Sequence, residues 1–121
     1  MKVRCIKLTD AKGNPRATSS RLSIGSIYPV LEVIQDTHHR WLLRVIGDGA
    51  NGIAIFGLDQ FEIVSAKVPN VWITKWNSQG GFSLTTEAWG RPGYWERYYD
   101  RDPEAHRVFE EEKAKILQGD P

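Results

Sequence analysis

The chain has 121 residues, 40% of them hydrophobic and 26% charged, with a formal net charge of +1. That length suits one ordinary domain, able to bury about two-thirds of its unfolded surface without disulfides or metals. Near-neutral charge excludes a bulk electrostatic attraction to nucleic acid or to a membrane surface.

The N-terminal run MKVRCIKLTD has no apolar stretch of signal-peptide length, and no run in the chain reaches the length of a membrane span. Cys5 is the single cysteine, so no intramolecular disulfide can form, and a cytoplasmic setting is expected. Val3 to Leu8 alternates apolar and basic residues as a short strand does, which makes Cys5 a buried structural thiol. Thr9 to Ser20, with Gly13-Asn14-Pro15, carries turn residues and no periodicity and reads as a long loop.

Strand signals then come quickly. Ser26 to Ile34 is rich in β-branched and aromatic residues, and Pro29 within it points to an edge or a bulge. Gln35 to His39 is a turn, Arg40 to Ile46 a strand, and Gly47 to Gly52 a second turn. Ile53 to Phe56 and Phe61 to Val64 follow as strands, joined through Gly57 to Gln60 by a bend or a single helical turn. Five short strands with no helical pattern between them predict a small barrel. Its expected core is Val3, Cys5, Ile24, Tyr28, Val30, Leu31, Val33, Leu43, Val45, Ile55, Phe61 and Ile63.

After Pro69-Asn70, the runs Val71 to Trp76 and Gly81 to Thr85 flank Asn77-Ser78-Gln79-Gly80 as a hairpin. Pro92 is placed to open a short helix, and Asp102-Pro103 a second one, with Asp102 as the cap. Ala105, Val108, Phe109 and Ile116 form one modest apolar stripe on a charged helix that cannot stand alone in water and must dock. Four of the five tryptophans fall between Trp72 and Trp95. Trp72, Trp76, Trp89 and Trp95 are read mainly as holding hairpin and helices to the barrel. Tyr94 and Tyr98 share an inward face, leaving Tyr99 and Arg97 for solvent or a partner.

No group of residues assembles a catalytic site by spacing. The serines lack an ordered base, and the acids at Asp100/Asp102 and Glu110/Glu111/Glu112 are explained by capping and solvation. His38-His39 point in different directions and suit a metal poorly, and Gly47 to Gly52 joins strands with no helix N-terminus to receive a phosphate. No catalytic residue, metal or cofactor is expected. Charge is uneven along the chain: Lys2, Arg4, Lys7, Lys12, Arg16 and Arg21 oppose only Asp10, while Glu104, Glu110, Glu111, Glu112 and Asp120 outnumber the bases of the C-terminal helix.

Arg4-Cys5-Ile6, Leu22 to Val30 and Asp59 to Val64 resemble the SH3-like five-stranded barrels of small bacterial and phage proteins, over residues 3–66. Pro92 to Asp100, with Asp102-Pro103-Glu104-Ala105 and Phe109, is similar to a C-terminal extension on small bacterial proteins, some of them toxin-associated immunity proteins. The His38-His39 pair and the long Thr9 to Ser20 loop depart from the usual barrel form. The expectation is a mainly β chain with C-terminal α: a barrel over 1–66, and a hairpin with two C-terminal helices over 67–121, packed as one unit. The resemblance implies a cytoplasmic immunity protein that binds a cognate protein toxin, of the contact-dependent growth inhibition or polymorphic type, with no membrane or small-molecule partner. Arg16, Arg21, His38, His39, Trp89, Arg97, Tyr99, Glu110 and Glu111 are the residues expected to meet that partner. The alternative is a nucleic-acid-binding or phage-related accessory protein that uses the basic N-terminal strand and loop.

Overall fold

A computed structural model describes residues 1–10, 12–49, 52–78 and 80–121. In chain order the elements are β1 (Lys2–Cys5), β2 (Ile27–Gln35), β3 (Trp41–Ile46), β4 (Ile53–Gly57), a 3-10 turn (Leu58–Gln60), β5 (Phe61–Ser65), β6 (Trp72–Trp76), β7 (Phe82–Thr86), α1 (Tyr94–Tyr99) and α2 (Pro103–Gly119). The molecule is mainly antiparallel sheet with two C-terminal helices, as the sequence predicts. The expected turns over Gly47–Gly52 and Asn77–Gly80 and the loop Thr9–Ser20 include Ala50, Asn51, Gln79 and Ala11, which lie outside the described residues.

Strand β2 organises the sheet. Its first residues pair with β1 (Val3 opposite Tyr28) and its last with β7 (Val33 opposite Leu84), both on one edge, while β3 runs along the other from Val30 to Gln35. Pro29 sits where its missing N–H is harmless, because Val30 N–H turns toward β1, to Met1 O, and pairing with β3 begins only at Val30. Between Val30 and Glu32 the register slips by one residue, so that Val30 and Leu31 are both fully buried. Trp72 Nε1 from β6 donates to Leu31 O at 3.0 Å, which ties the hairpin to the bulge.

The strand order is β4-β3-β2-β1-β5, with β7 and β6 continuing from β2. β4 and β5 are consecutive in sequence and stand at opposite ends of that order, so the sheet among the described residues does not close. The 3-10 turn between them carries the chain from one end to the other. Its Gln60, only 5% exposed, gathers the N-terminal segment: its carbonyl accepts from Ile6 N–H at 2.8 Å and its side-chain oxygen from Thr9 N–H at 3.1 Å. That capture ends β1 at Cys5, three residues short of the expected Leu8.

The core joins Val3, Cys5, Tyr28, Val30, Leu31, Leu43, Val45 and Phe61 of the sheet to Trp72, Trp89, Tyr94, Ala105, Phe109 and Ile116. Three expected core residues are exposed instead: Ile24 in a loop, Ile63 on the edge strand β5, and Ile55, whose position opposite Arg44 puts it on the other face of the sheet. Val33 is half-buried against the core. Trp76 is 73% exposed and does not hold the hairpin down; it lies over Phe82, which in turn meets Trp41 edge-on. Asp102 caps α2 by accepting from Glu104 N–H at 3.0 Å, with Pro103 in the first turn. The apolar stripe of α2 docks on the chain's own aromatics: Phe109 stacks on Trp89 at 5.5 Å and meets Tyr98 at 4.8 Å.

Candidate functional site

Alternation along β3 sends Leu43 and Val45 into the core and Arg44 to the opposite face, where α1 lies. Opposite Arg44 in register is Glu32, and the two form an ion pair, Nε to Oε1, at 2.7 Å. Thr85 donates its hydroxyl to Glu32 Oε2, and Trp95 Nε1 donates to the same oxygen at 3.3 Å. The Arg44 guanidinium lies 3.8 Å from the centre of the Trp95 ring and donates through Nη1 to Tyr99 Oη at 2.9 Å. Tyr99 in turn donates to Ile53 O at 3.3 Å. Every member of this network has a partner, so α1 is fixed to the sheet by polar contacts that are buried at Glu32, Arg44 and Thr85 and open to solvent at Tyr99.

Arg44, Tyr99 and Ile53 of this network line a cleft of about 650 Å³, together with Arg21, Ala54, Ile55, Tyr98, Arg101 and His106. No carboxylate stands among these residues. Glu32 neutralises Arg44 from beneath, whereas the guanidinium groups of Arg21 and Arg101 have no hydrogen-bond or ion-pair partner among the described residues. Arg21 is held by its backbone, with its N–H on Ser19 Oγ (3.1 Å) and its carbonyl accepting from Asp48 N–H (2.7 Å). Arg101 follows α1 in a left-handed conformation, φ 64°. His106 stacks on Tyr98 at 4.2 Å, and its Nε2 lies 2.8 Å from Tyr98 O, which requires the proton on that nitrogen. Burial pushes the Tyr98 hydroxyl above its ordinary value, with Tyr99 and Glu110 adding to the effect, so it stays neutral at physiological pH.

A second groove of about 930 Å³ runs between the N-terminal loop, with Lys12 and Arg16, and Trp41, Phe56 and the 3-10 turn. It carries both signs of charge. Asp10 and Asp59 share its wall with Lys12, Arg16 and Arg40, and Arg40 is already bound to Asp36 at 2.8 Å.

Of the residues expected to meet a partner, Arg21 and Tyr99 come together in the first cleft, and Arg16 lies in the second groove. His38 and His39 are exposed in the β2–β3 turn, ordered by Asp36 Oδ1, which accepts from His38 and Arg40 N–H at 2.9 Å each. Arg97 is exposed on α1. Glu110 and Glu111 are exposed on α2, paired with Lys113 and Arg107 respectively. Trp89 does not face a partner: it is 1% exposed and is a core residue, in keeping with the packing role also expected of it. Its backbone N–H donates to Thr86 Oγ1 at 3.2 Å, the turn after β7 rotates the indole inward, and Phe109 and Trp95 pack against the ring. Sequence reading missed Arg44, Glu32, Arg101 and His106. The signal for the first two was present: an arginine and a glutamate each flanked by buried aliphatics on strands joined by one short turn oppose each other if the turn closes a hairpin.

Among the described residues no three His, Cys, Asp or Glu gather as metal ligands, and no helix is long and apolar enough to cross a membrane. Comparison with protein-family models, with curated protein sequences and with solved structures finds no match to this chain.

Proposed function

We propose that this chain is a non-catalytic protein-binding module, an immunity protein that neutralises a cognate toxin by direct binding, and that it does so in the cytoplasm without a cofactor. The supporting observation is the cleft itself: the exposed Tyr99 ring, together with Arg21 and Arg101, whose guanidinium groups have no partner among the described residues, stands beside the bonded pair of Arg44 and Glu32. Tyrosine and arginine supply a disproportionate share of binding energy in protein interfaces, and a preorganised surface lowers the entropy cost of docking. Residues 1–66 are read as an SH3-like barrel, supported by the β2-β3-β4 meander, the pairing of β1 with both β2 and β5, and the 3-10 turn before β5.

The nucleic-acid alternative draws on the basic N-terminus, and two of those charges are already engaged: Arg4 with Glu62 at 2.7 Å and Lys7 with Asp59 at 3.6 Å. The test is to mix the purified chain with the product of the adjacent gene, and separately with labelled single- and double-stranded oligonucleotides. A stable complex with the gene product, together with suppression of its toxicity, is expected. No such complex, with salt-sensitive micromolar oligonucleotide binding, overturns the assignment.

A further inference from the structure

We infer that the cleft between β4 and α1 is a carboxylate-binding site for an acidic segment of a partner protein, with Arg21 and Arg101 as the residues that take the charge; this rests on the protein-binding reading above. The volume of about 650 Å³ exceeds what a lone ion needs and accommodates a short stretch of polypeptide. The inventory is one-sided: two guanidinium groups without partners among the described residues, a histidine, two tyrosines and no acid. A guanidinium presents a planar fork of N–H donors that matches a carboxylate two bonds at a time. Ile53 and Ile55 supply an apolar wall for the aliphatic stem of an incoming Glu or Asp.

A second observation points the same way. Arg101 is held at φ 64°, a conformation in which L-residues other than Asn and Asp are uncommon and that suits glycine far better. A side chain kept at the mouth of a cleft against a local backbone cost marks a position where the side chain itself is used.

Protein rather than nucleic acid is favoured by what flanks the site. Asp100, Asp102 and Glu104 bracket Arg101 along the chain. A nucleic-acid backbone, with its charges only a few ångströms apart, has to run past those acids. A polypeptide does not, because its backbone is uncharged and one of its acidic side chains can enter the cleft while the others point away.

The test uses a fluorescent peptide of Asp, Glu and Gly, its Asn/Gln counterpart and a labelled oligothymidylate, with anisotropy read at low and at physiological ionic strength. The acidic peptide is expected to bind, more weakly at higher salt, and the amide peptide not to bind. Arg21→Ala and Arg101→Gly are each expected to weaken acidic-peptide binding about tenfold. Arg101→Gly leaves the midpoint of chemical denaturation unchanged or raises it, because it relieves the left-handed backbone, so lost binding cannot be ascribed to unfolding. Lys12→Ala, in the other groove, leaves binding unchanged. Equal binding of the amide peptide, wild-type binding in both arginine variants, or tighter binding of the oligonucleotide overturns the inference. Binding of the acidic peptide through the two arginines, with no complex to the neighbouring gene product, keeps the site and removes the immunity reading. A complex that is insensitive to both variants does the reverse.

Discussion

Replacing Arg44 by methionine keeps most of the aliphatic stem and deletes the guanidinium. Lost with it are the 2.7 Å bond to Glu32, the 2.9 Å bond to Tyr99 and the contact over Trp95 at 3.8 Å. The side chains of Arg44 and Glu32 are 7% and 4% exposed, so water does not screen what remains. Glu32 keeps Thr85 and Trp95 as donors and loses its only counter-charge among the described residues. Stranding a buried carboxylate in this way costs ~3–5 kcal/mol. For a chain of this size that corresponds to a fall in melting temperature of roughly 12–20 °C. Adding Glu32→Leu removes the stranded charge, and the double variant is expected to recover at least ~2 kcal/mol of the loss, although Thr85 and Trp95 then lack an acceptor. Urea denaturation followed by far-UV circular dichroism reads both values, with an unchanged slope required for the comparison. A loss below ~1 kcal/mol in the single variant, or a double variant less stable than the single, refutes the reasoning.

Two tryptophans separate core from surface: Trp89→Ala is expected to cost ~3–5 kcal/mol, and Trp76→Ala, at 73% exposure, to stay within about 0.5 kcal/mol in the same assay. Gly81 has φ 89°, and a Cβ there would meet Gln35 O of β2 at 2.5 Å, whereas Gly80, at φ 99°, has no atom within 4 Å of that position. Gly81→Ala is therefore expected to be clearly the more destabilising of the two alanine variants, and equal midpoints would contradict it. Asp36 is held below the usual 3.8 chiefly by the Arg40 backbone N–H, and Asp120 chiefly by the Ser65 hydroxyl. A carboxylate with a depressed folded value contributes its full stability above its unfolded value, and loses it as pH falls through the folded one. Stability is thus expected to decline from about pH 4 downward, and Asp36→Asn to shallow that limb; an unchanged acid limb counts against the assignment.

Strand positions were legible because β-branched runs and glycine-rich turns alternate before Val68, and the α2 start was legible because Asp102-Pro103 combines a cap with a residue suited to the first turn. The errors have physical sources. Ile55 and Ile63 fit the apolar alternation, yet Ile55 lies opposite Arg44 and Ile63 on a strand whose other edge is unpaired among the described residues, and sequence periodicity does not report which strands lack neighbours. Trp89 reads from sequence both as a packing residue and as a partner-facing one, and only the turn after β7, which nothing local marks, decides for the core. Half of the cleft was visible in Arg21 and Tyr99. The other half, Arg101 and His106, depends on how α1 meets α2, which no short-range pattern encodes.

The shared edge of β2 sets a timetable for the nascent chain. Residues 27–29 of that edge receive β1, already synthesised, but Val33 to Gln35 wait for Phe82 to Leu84. Those partners emerge about fifty residues later, which at ~5–20 residues per second leaves part of the edge open for several seconds during each synthesis. Over that interval the newborn protein presents unpaired strand to its neighbours on the same polysome, the situation in which like edges pair with like. A stop codon after residue 66 would make the interval permanent, because only the hairpin supplies the partner for that stretch of β2 among the described residues.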